Sequence, residues 1–227
     1  MEGDSVMDQA QALFDVIAKG DTSAVEAMLT EEPKLAGARN DQGVSAVLVA
    51  LYNQQREIAD RLLRAVPVLD IFAAGATGQL EQLRTLLDDD AVLANVEASD
   101  GARPLHLACF FGQTEAAKLL LDCGADVNVA VAAFGGVFPI HSAAASQSTE
   151  IIKMLLEAGA DPNTKQQGGW TALHAAAKHG DTAMTQLLLE NGADPNIRTD
   201  DGAAPCDLIS ADSPKAIRDL LNTGSIT

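Results

Sequence analysis

Four histidines are the residues in this chain best suited to metal binding or proton transfer, because an imidazole can ligate a metal and exchange protons near neutral pH. His106, His141 and His174 are separated by 35 and 33 residues, and His179 follows His174 by five positions. That last spacing does not place two ligands on one face of a helix. Since no Ser, Cys or Asp nucleophile comes with a placed base, the sequence predicts neither a catalytic centre nor a metal site.

Three further patterns could carry chemistry, and each has a structural interpretation. Cys109, Cys123 and Cys206 have no metal-type spacing, which favours reduced, buried thiols. The segment "GATGQ" (75–79) lacks the Lys-Ser/Thr of a phosphate-binding loop, so we expect a tight helix contact there. The run "DDD" (88–90) follows a Leu pair near a helix end and should extend into water, because no regular set of oxygen ligands accompanies it. No cofactor is predicted.

The charge balance limits the classes of partner. The 227 residues contain 15 Lys and Arg against 32 Asp and Glu, a formal net charge of −17. Such a chain repels nucleic acid and anionic membranes, and it favours a partner with basic or apolar character. The first residues, "MEGDSVMDQAQALFDVIAKG", are acidic where a signal peptide needs cations, and no run approaches the ~18 apolar residues of a membrane span. We expect a cytoplasmic protein.

The spacing of the histidines belongs to a longer internal repeat, which determines what must position them. Segments starting at Asp100, Gly135 and Gly168 align over their whole length, and Asn128, Asn163 and Asn196 repeat the histidine intervals. Each unit has a short Ala-rich helix, a polar break, a second helix that ends in a Leu pair, and then Gly-Ala-Asp-x-Asn. Stacked units of about 33 residues would hold the histidines one repeat apart, too far to share a metal ion.

The motifs of these units resemble the ankyrin repeat. The tetrads "RPLH" at Arg103, "FPIH" at Phe138 and "TALH" at Thr171, three "GAD" turns and the Leu pairs carry the resemblance over roughly 97–203, and weaker copies extend it over most of the chain. It implies an all-α solenoid of about seven helix pairs with short β-hairpin fingers. It also implies that the tetrad histidines hydrogen-bond between finger and helix.

The repeat boundaries predict one ankyrin-repeat domain over 1–227. We expect an N-terminal capping pair (1–40), two divergent repeats (41–96), three near-regular repeats (97–199), and a C-terminal capping pair with a tail (200–227). The interval between the second and third pairs is about ten residues short, so a finger should be missing near 64–70 and leave a gap in the finger row. The finger at 129–138 is longer and unusually apolar, "VAVAAFGGVF".

Aromatic residues identify the candidate binding surface. In the ankyrin pattern, the two positions before the central Gly and the finger positions face the concave side. Phe14 and Phe72 hold positions expected in the core. The predicted partner-binding residues are the other six aromatics and two neighbours at the rim, where we also expect acidic residues: Tyr52, Phe110, Phe111, Phe134, Phe138, Trp170, Lys178 and His179. The alternative is that these rings cover the helices of adjacent repeats.

The function predicted from these features is non-enzymatic binding of a partner protein through the concave face. The partner should carry basic residues that flank an apolar anchor, and the protein should be monomeric. Two alternatives stay open. One is a scaffold that self-associates through the 129–138 finger, and the other is a small-ligand receptor or enzyme that uses the groove. The partner's identity lies beyond the sequence.

Overall fold

Antiparallel helix pairs follow one another along the chain in the computed structural model, which describes residues 2–223 and the side-chain surroundings of 8–222. Six pairs precede the C-terminal helix: α1 (Glu2–Lys19) with α2 (Thr22–Glu31), α3 (Ala46–Tyr52) with α4 (Arg56–Ala65), α5 (Ile71–Thr77) with α6 (Leu80–Asp89), α7 (Pro104–Phe110) with α8 (Thr114–Asp122), α9 (Pro139–Ala145) with α10 (Thr149–Glu157), and α11 (Ala172–His179) with α12 (Thr182–Glu190). The last helix is α13 (Lys215–Thr223).

The seventh helix pair differs from the sequence prediction. Its first member is a four-residue 3₁₀ turn, Pro205–Leu208, and α13 follows it without a preceding α-helix. Asp207, which occupies the histidine position, accepts a hydrogen bond from the Ala204 N–H at 2.9 Å. The chain then turns through Ser210 to Pro214, and proline disfavours helical backbone in the residue before it. The described chain therefore contains six complete pairs and a shortened seventh.

Capping and small residues explain the helix lengths. α7 and α9 each begin with proline at the first helical position, where its missing N–H costs nothing. Several second helices have an acceptor side chain at the N-cap, such as Asp181, which receives the Met184 N–H at 2.9 Å.

Small residues let neighbouring first helices approach closely. At Gly75 of α5, an added Cβ would lie 3.3 Å from the Pro104 carbonyl oxygen, so "GATGQ" makes the helix contact that was predicted.

The core runs between the first and second helices and between successive repeats. The first leucine of each Leu pair in the regular repeats is fully buried, and the second is only partly buried; the buried members are Leu120, Leu155 and Leu188. Phe14 is also buried, whereas Phe72 packs against the core with part of its ring accessible. Cys109 is buried, Cys123 is partly buried and Cys206 is exposed, so the prediction of buried thiols is wrong for Cys206.

The fingers are tight turns, and the β-hairpins predicted for them are not confirmed. Among the described residues, pairing is limited to isolated antiparallel bridges, at Arg39–Ser45, Val131–Val137 and Gln166–Trp170. Two more fingers close through two backbone hydrogen bonds each. In one, the Ala98 N–H donates to Ala102 and the Gly101 N–H to Ala98; in the other, the Thr199 N–H donates to Ala203 and the Gly202 N–H to Thr199.

At the junction where the sequence predicts a missing finger, Val66–Asp70 connect α4 and α5 without a bridge. The expected gap in the row is nevertheless closed. The Ser99 hydroxyl donates a hydrogen bond to the Gln42 carbonyl, which joins the fingers on either side. Arg39 of the earlier finger also pairs with Asp70 of the connection at 2.6 Å. The two fingers that flank the deletion are therefore in contact.

Asparagine side chains fasten successive repeats at the ends of the second helices. Each carboxamide donates to a glycine carbonyl of the next repeat and accepts that repeat's Asp N–H, all within 2.7–3.0 Å; the asparagines are Asn95, Asn128 and Asn163. The acceptor glycines follow the second helices in left-handed backbone, for example Gly159 with φ 89°. Asparagine therefore recurs at the same interval as the tetrad histidines because its side chain holds each repeat against the next.

None of the helices in the described part of the chain is both long and apolar enough to cross a membrane.

Asp88, Asp89 and Asp90 are exposed, as predicted. Asp90 has an additional role, because its carboxylate accepts the Val92 N–H at 3.0 Å and caps the following 3₁₀ turn.

Candidate functional site: a concave aromatic groove

A groove of about 630 Å³ lies between the first helices and the fingers. Its walls come from α3, α7, α9 and α11 and from the fingers at 129–138 and 164–171. Six of the eight predicted partner-binding residues line it: Tyr52, Phe110, Phe134, Trp170, Lys178 and His179. The groove brings together side chains from three successive regular repeats and one divergent repeat.

Phe110 and Phe111 are adjacent in sequence but line different cavities. Phe110 is 52% exposed and faces the groove. Phe111 is partly buried, stacks on Tyr52 with ring centroids 6.5 Å apart, and lines a second cavity of about 550 Å³ formed mainly by α3, α4 and α5. The two rings meet edge to face at 5.1 Å. Phe111 therefore supports Phe110 and Tyr52 from behind and does not line the groove.

Phe138 is the second predicted residue that does not line the groove. It occupies the N-cap of α9 and packs partly buried against the core, with its ring centroid 5.8 Å from that of His141. The residue at this position orients its side chain toward the following helix. Its neighbour Val137 lines the groove instead.

Tyr52 is held at the groove by a hydrogen bond from its hydroxyl to Asp100 Oδ2, at 3.1 Å. Partial burial and the adjacent Asp100 carboxylate raise the pKa of Tyr52 above its ordinary value, so the hydroxyl stays protonated and donates. The ring is 38% exposed. Because Asp100 belongs to the finger beyond the deletion, this bond joins a divergent repeat to the first regular one.

Trp170 and Lys178 form the other end of the groove. The Lys178 ammonium lies 5.3 Å from the centroid of the indole ring, in the range of a cation–π contact. The centroid of the indole ring is also 5.8 Å from that of the His174 imidazole, with the two rings tilted by 52°. Lys178 and His179 are both exposed at the end of α11. Among residues 8–222, no carboxylate makes an ion pair with Lys178.

The three tetrad histidines link each first helix to the next finger, as the resemblance implied. His141 accepts the Phe138 N–H at Nδ1 (3.1 Å) and donates from Nε2 to the Thr164 carbonyl (3.0 Å). His174 does the same between Thr171 and Ala203. His106 donates to the Val137 carbonyl at 3.1 Å. A carbonyl can only accept, so each Nε2 carries the proton.

Burial keeps these histidines neutral. It lowers the pKa of His106 and of His141 to about 4, and it also lowers the pKa of His174. Both ring nitrogens of His141 and His174 are occupied by the protein backbone, which leaves no lone pair for a metal. Within the described part of the chain, no group of three or more His, Cys, Asp or Glu side chains could hold a metal ion.

Charge in the groove differs from charge on the rest of the chain. Among the sixteen described residues that line the groove, none is Asp or Glu, although the chain contains 32 of them. Lys178 carries the one permanent charge among these lining residues. The acidic residues expected at the rim beside Lys178 and His179 therefore do not contribute to the lining.

Several lining residues were not identified from the sequence. Gln166 and Gln167 come from the 164–171 finger, and Ser142 comes from α9. The Gln167 N–H donates to the Gly135 carbonyl at 2.7 Å, which joins the two fingers that form the outer wall. Their position at variable finger and inner-helix sites was the available signal, but none of the three is aromatic.

Comparison with known proteins agrees with the repeat geometry. A family model described as ankyrin repeats (3 copies) matches residues 70–131 and 131–199, more than half of the chain. Among curated proteins, none matches this sequence.

Proposed function

Because this chain belongs to the ankyrin-repeat family, whose members are generally protein–protein interaction modules, we propose that it binds a partner protein through the concave groove and performs no catalysis. The observation that carries the proposal is the convergence of Phe110, Phe134 and Trp170, from three successive repeats, on one cavity. A volume of about 630 Å³ falls in the range of ligand pockets.

Aromatic exposure supports this site over the rest of the surface. Phe110 and Phe134 keep about half of their surface accessible, at 52% and 45%, and Tyr52 keeps 38%. Rings of this size are common anchors at interface centres, where a few residues carry most of the binding energy. Covering these rings would remove apolar surface from water, and the neutral histidines behind them fix the helices that present them.

The net charge of −17 adds long-range attraction for a partner with basic residues around its apolar anchor. The anchor would enter the groove, and the basic residues would remain outside it near the acidic surface. Association should then slow as salt is added, because screening weakens steering between separated charges.

The proposal can be tested by selecting peptides from a random displayed library on the immobilised protein. Selected peptides are then titrated against Phe110→Ala and Trp170→Ala, with Val92→Ala as the matched control, since Val92 is 71% exposed and lies outside the groove. We expect each groove variant to lose about 2 kcal/mol, or roughly thirtyfold in affinity. The control should bind as tightly as the wild type.

Two results would contradict the proposal. Selected peptides that bind the groove variants and the wild type equally would place recognition elsewhere. Loss of binding accompanied by an equal loss of stability in the variants would show that the rings hold the fold rather than a partner. Circular dichroism melting of each variant separates these cases.

The 129–138 finger also supports a second candidate, self-association. Phe134 lies in its 3₁₀ turn and is 45% exposed, so two copies could bury this ring against each other. Light scattering across a concentration series distinguishes the two functions. A molecular mass that rises with concentration and falls back in Phe134→Ser favours self-association, whereas a constant monomer mass favours heterologous binding.

A further inference from the structure

The lining of the groove specifies what kind of peptide fits it. Apolar rings and a single fixed cation occur together there without a carboxylate, in a chain whose acidic residues outnumber its basic ones by 32 to 15. A basic side chain inside this groove would meet Lys178 and no described acidic partner among the lining residues. The complementary ligand has an apolar group and an anion next to each other.

The spacing of the two features restricts where the anion is carried. Lys178 Nζ is 5.3 Å from the Trp170 ring centroid. A ligand that uses both residues must therefore carry its apolar group and its anion within a few ångströms of each other. In an extended peptide, successive side chains point to opposite faces, so an apolar residue and an acidic neighbour cannot both enter. A C-terminal residue meets the requirement, because its side chain and its α-carboxylate share one Cα.

We propose that the groove binds the C-terminal residue of the partner protein, with its apolar side chain against Phe110, Phe134 and Trp170 and its α-carboxylate against Lys178 and His179. This inference rests on the proposed function and names the ligand of that same groove. Lys178 is suited to the task because no ion pair with another described residue competes for its ammonium. The carboxylate would also replace water at an exposed cation, at little desolvation cost.

The net charge of the chain then determines what precedes the C-terminal residue. One carboxylate is repelled by a molecule of charge −17, and basic residues upstream in the ligand would offset that repulsion while they remain outside the groove. The preferred ligand is therefore a tail with basic residues followed by an apolar C-terminal residue with a free carboxylate.

The test uses fluorescein-labelled hexapeptide pools of the form Lys-Arg-X-X-X-Phe, with X randomised, as the free acid and as the C-terminal amide. A third pool, Lys-Arg-X-X-Phe-Glu with an amidated end, carries its carboxylate on a side chain instead. Binding to the full chain is followed by fluorescence anisotropy. We expect the free acid to bind at least about tenfold more tightly than the amide, which is the effect of one charge-assisted hydrogen bond.

Variants connect that preference to the groove. Lys178→Gln should reduce the difference between acid and amide to less than about twofold, since the amide never used the ammonium. Lys118→Gln is the matched control. Lys118 is an exposed residue of α8 outside the groove, so the variant removes the same charge and should keep the full preference for the free acid. Trp170→Ala should weaken the acid and the amide alike.

Each contrary result overturns the inference in a recognisable way. Equal binding of acid and amide, a preference that survives Lys178→Gln, or tighter binding of the pool ending in Phe-Glu amide would each exclude α-carboxylate recognition. N-acetyl-phenylalanine binding as tightly as the hexapeptides would make the ligand a small molecule. If peptides from the displayed library bind the groove regardless of their terminus, the proposed function stands and this inference fails.

Discussion

Lowering the pH from 7 to 5 should destabilise the protein through the histidines that join helices to fingers. His106 and His141 are 3% and 5% exposed, and burial lowers the pKa of each to about 4. In the unfolded chain an imidazole has a pKa near 6.5, so between pH 6.5 and 4 the unfolded state binds more protons than the folded state. Stability from these residues is therefore complete above pH 6.5 and falls as the pH approaches 4.

The magnitude follows from the two pKa values. For a folded pKa of about 4 and an unfolded pKa of about 6.5, linkage gives a loss of roughly 2 kcal/mol per histidine between pH 7 and pH 5. His106 and His141 together should cost about 4 kcal/mol. His174, whose pKa is also lowered, should add to the loss. This is a large share of the 5–15 kcal/mol typical of a domain, so the effect should be easy to measure.

The assay is urea unfolding at pH 7 and pH 5, followed by the fluorescence of Trp170 and by circular dichroism. His141→Gln will be less stable at both pH values because it loses two backbone hydrogen bonds. The informative quantity is the difference between the two pH values, which should shrink by about 2 kcal/mol relative to the wild type. Contributions from carboxylates are common to all variants and cancel in this comparison.

Asn163→Ala serves as the matched control, because it also removes a side chain with two hydrogen bonds to the backbone but removes no titratable group, so it should lower stability and keep the pH dependence of the wild type. A full wild-type pH dependence in His141→Gln would refute the histidine linkage. A pH dependence reduced as much in Asn163→Ala as in His141→Gln would refute it as well. Transitions that differ between fluorescence and circular dichroism would identify unfolding of separate repeats, and each would then be fitted on its own.

Three stability predictions concern other features of the stack. Gln147 is exposed and has φ 57°, so Gln147→Gly should stabilise by about 1 kcal/mol in thermal unfolding, whereas Gly112→Gln at the equivalent turn should destabilise by a similar amount. Leu155→Ala, in the centre of the core, should cost about 2–5 kcal/mol in urea unfolding, and an equal cost for half-buried Leu156→Ala would contradict this packing account. Asn128→Ala should cost about 1–3 kcal/mol and raise amide exchange at the next repeat; unchanged exchange there would count against a stacking role.

The repeat, its fold and the roles of its signature residues could be predicted from the sequence because each depends on local, repeated chemistry. Spacing excluded a shared metal ion, and the resemblance to the ankyrin tetrad implied that His141 and His174 are structural; the structure shows both ring nitrogens of each bonded to backbone. The shortened connection near Pro67 was equally visible in the intervals. Such features recur at fixed positions, so one unit informs the others.

The direction of individual rings could not be predicted in the same way. Phe110 and Phe111 are equivalent as sequence, yet Phe111 occupies a cavity formed mainly by α3, α4 and α5, because Tyr52 provides a face for it to stack on. Phe138 was assigned to the surface from its finger position, whereas its place at the N-cap of α9 turns it toward His141. These outcomes depend on contacts between repeats, which have no fixed spacing in sequence.

The composition of the groove was also beyond the sequence. Acidic residues are spread along the whole chain, and the formal charge suggested an acidic rim around the rings. Their exclusion from the lining becomes visible only when residues from α3, α7, α9, α11 and two fingers are assembled. The described lining contains no Asp or Glu although the chain as a whole is strongly acidic. Because each inward-facing position could have carried a different side chain, the composition of the lining is a stronger indication of ligand chemistry than the net charge.

The short connection between α4 and α5 explains how a residue of the second helix pair comes to line a groove built by the fourth to sixth pairs. A finger between α4 and α5 would lie between those at 38–46 and 96–103, which instead meet through Ser99 and Gln42. Without it, the Tyr52 hydroxyl reaches Asp100 directly, at 3.1 Å. The short connection therefore brings an additional ring to the groove, and both carboxylate oxygens of Asp100 are engaged, Oδ2 by the Tyr52 hydroxyl and Oδ1 by the Ala102 N–H.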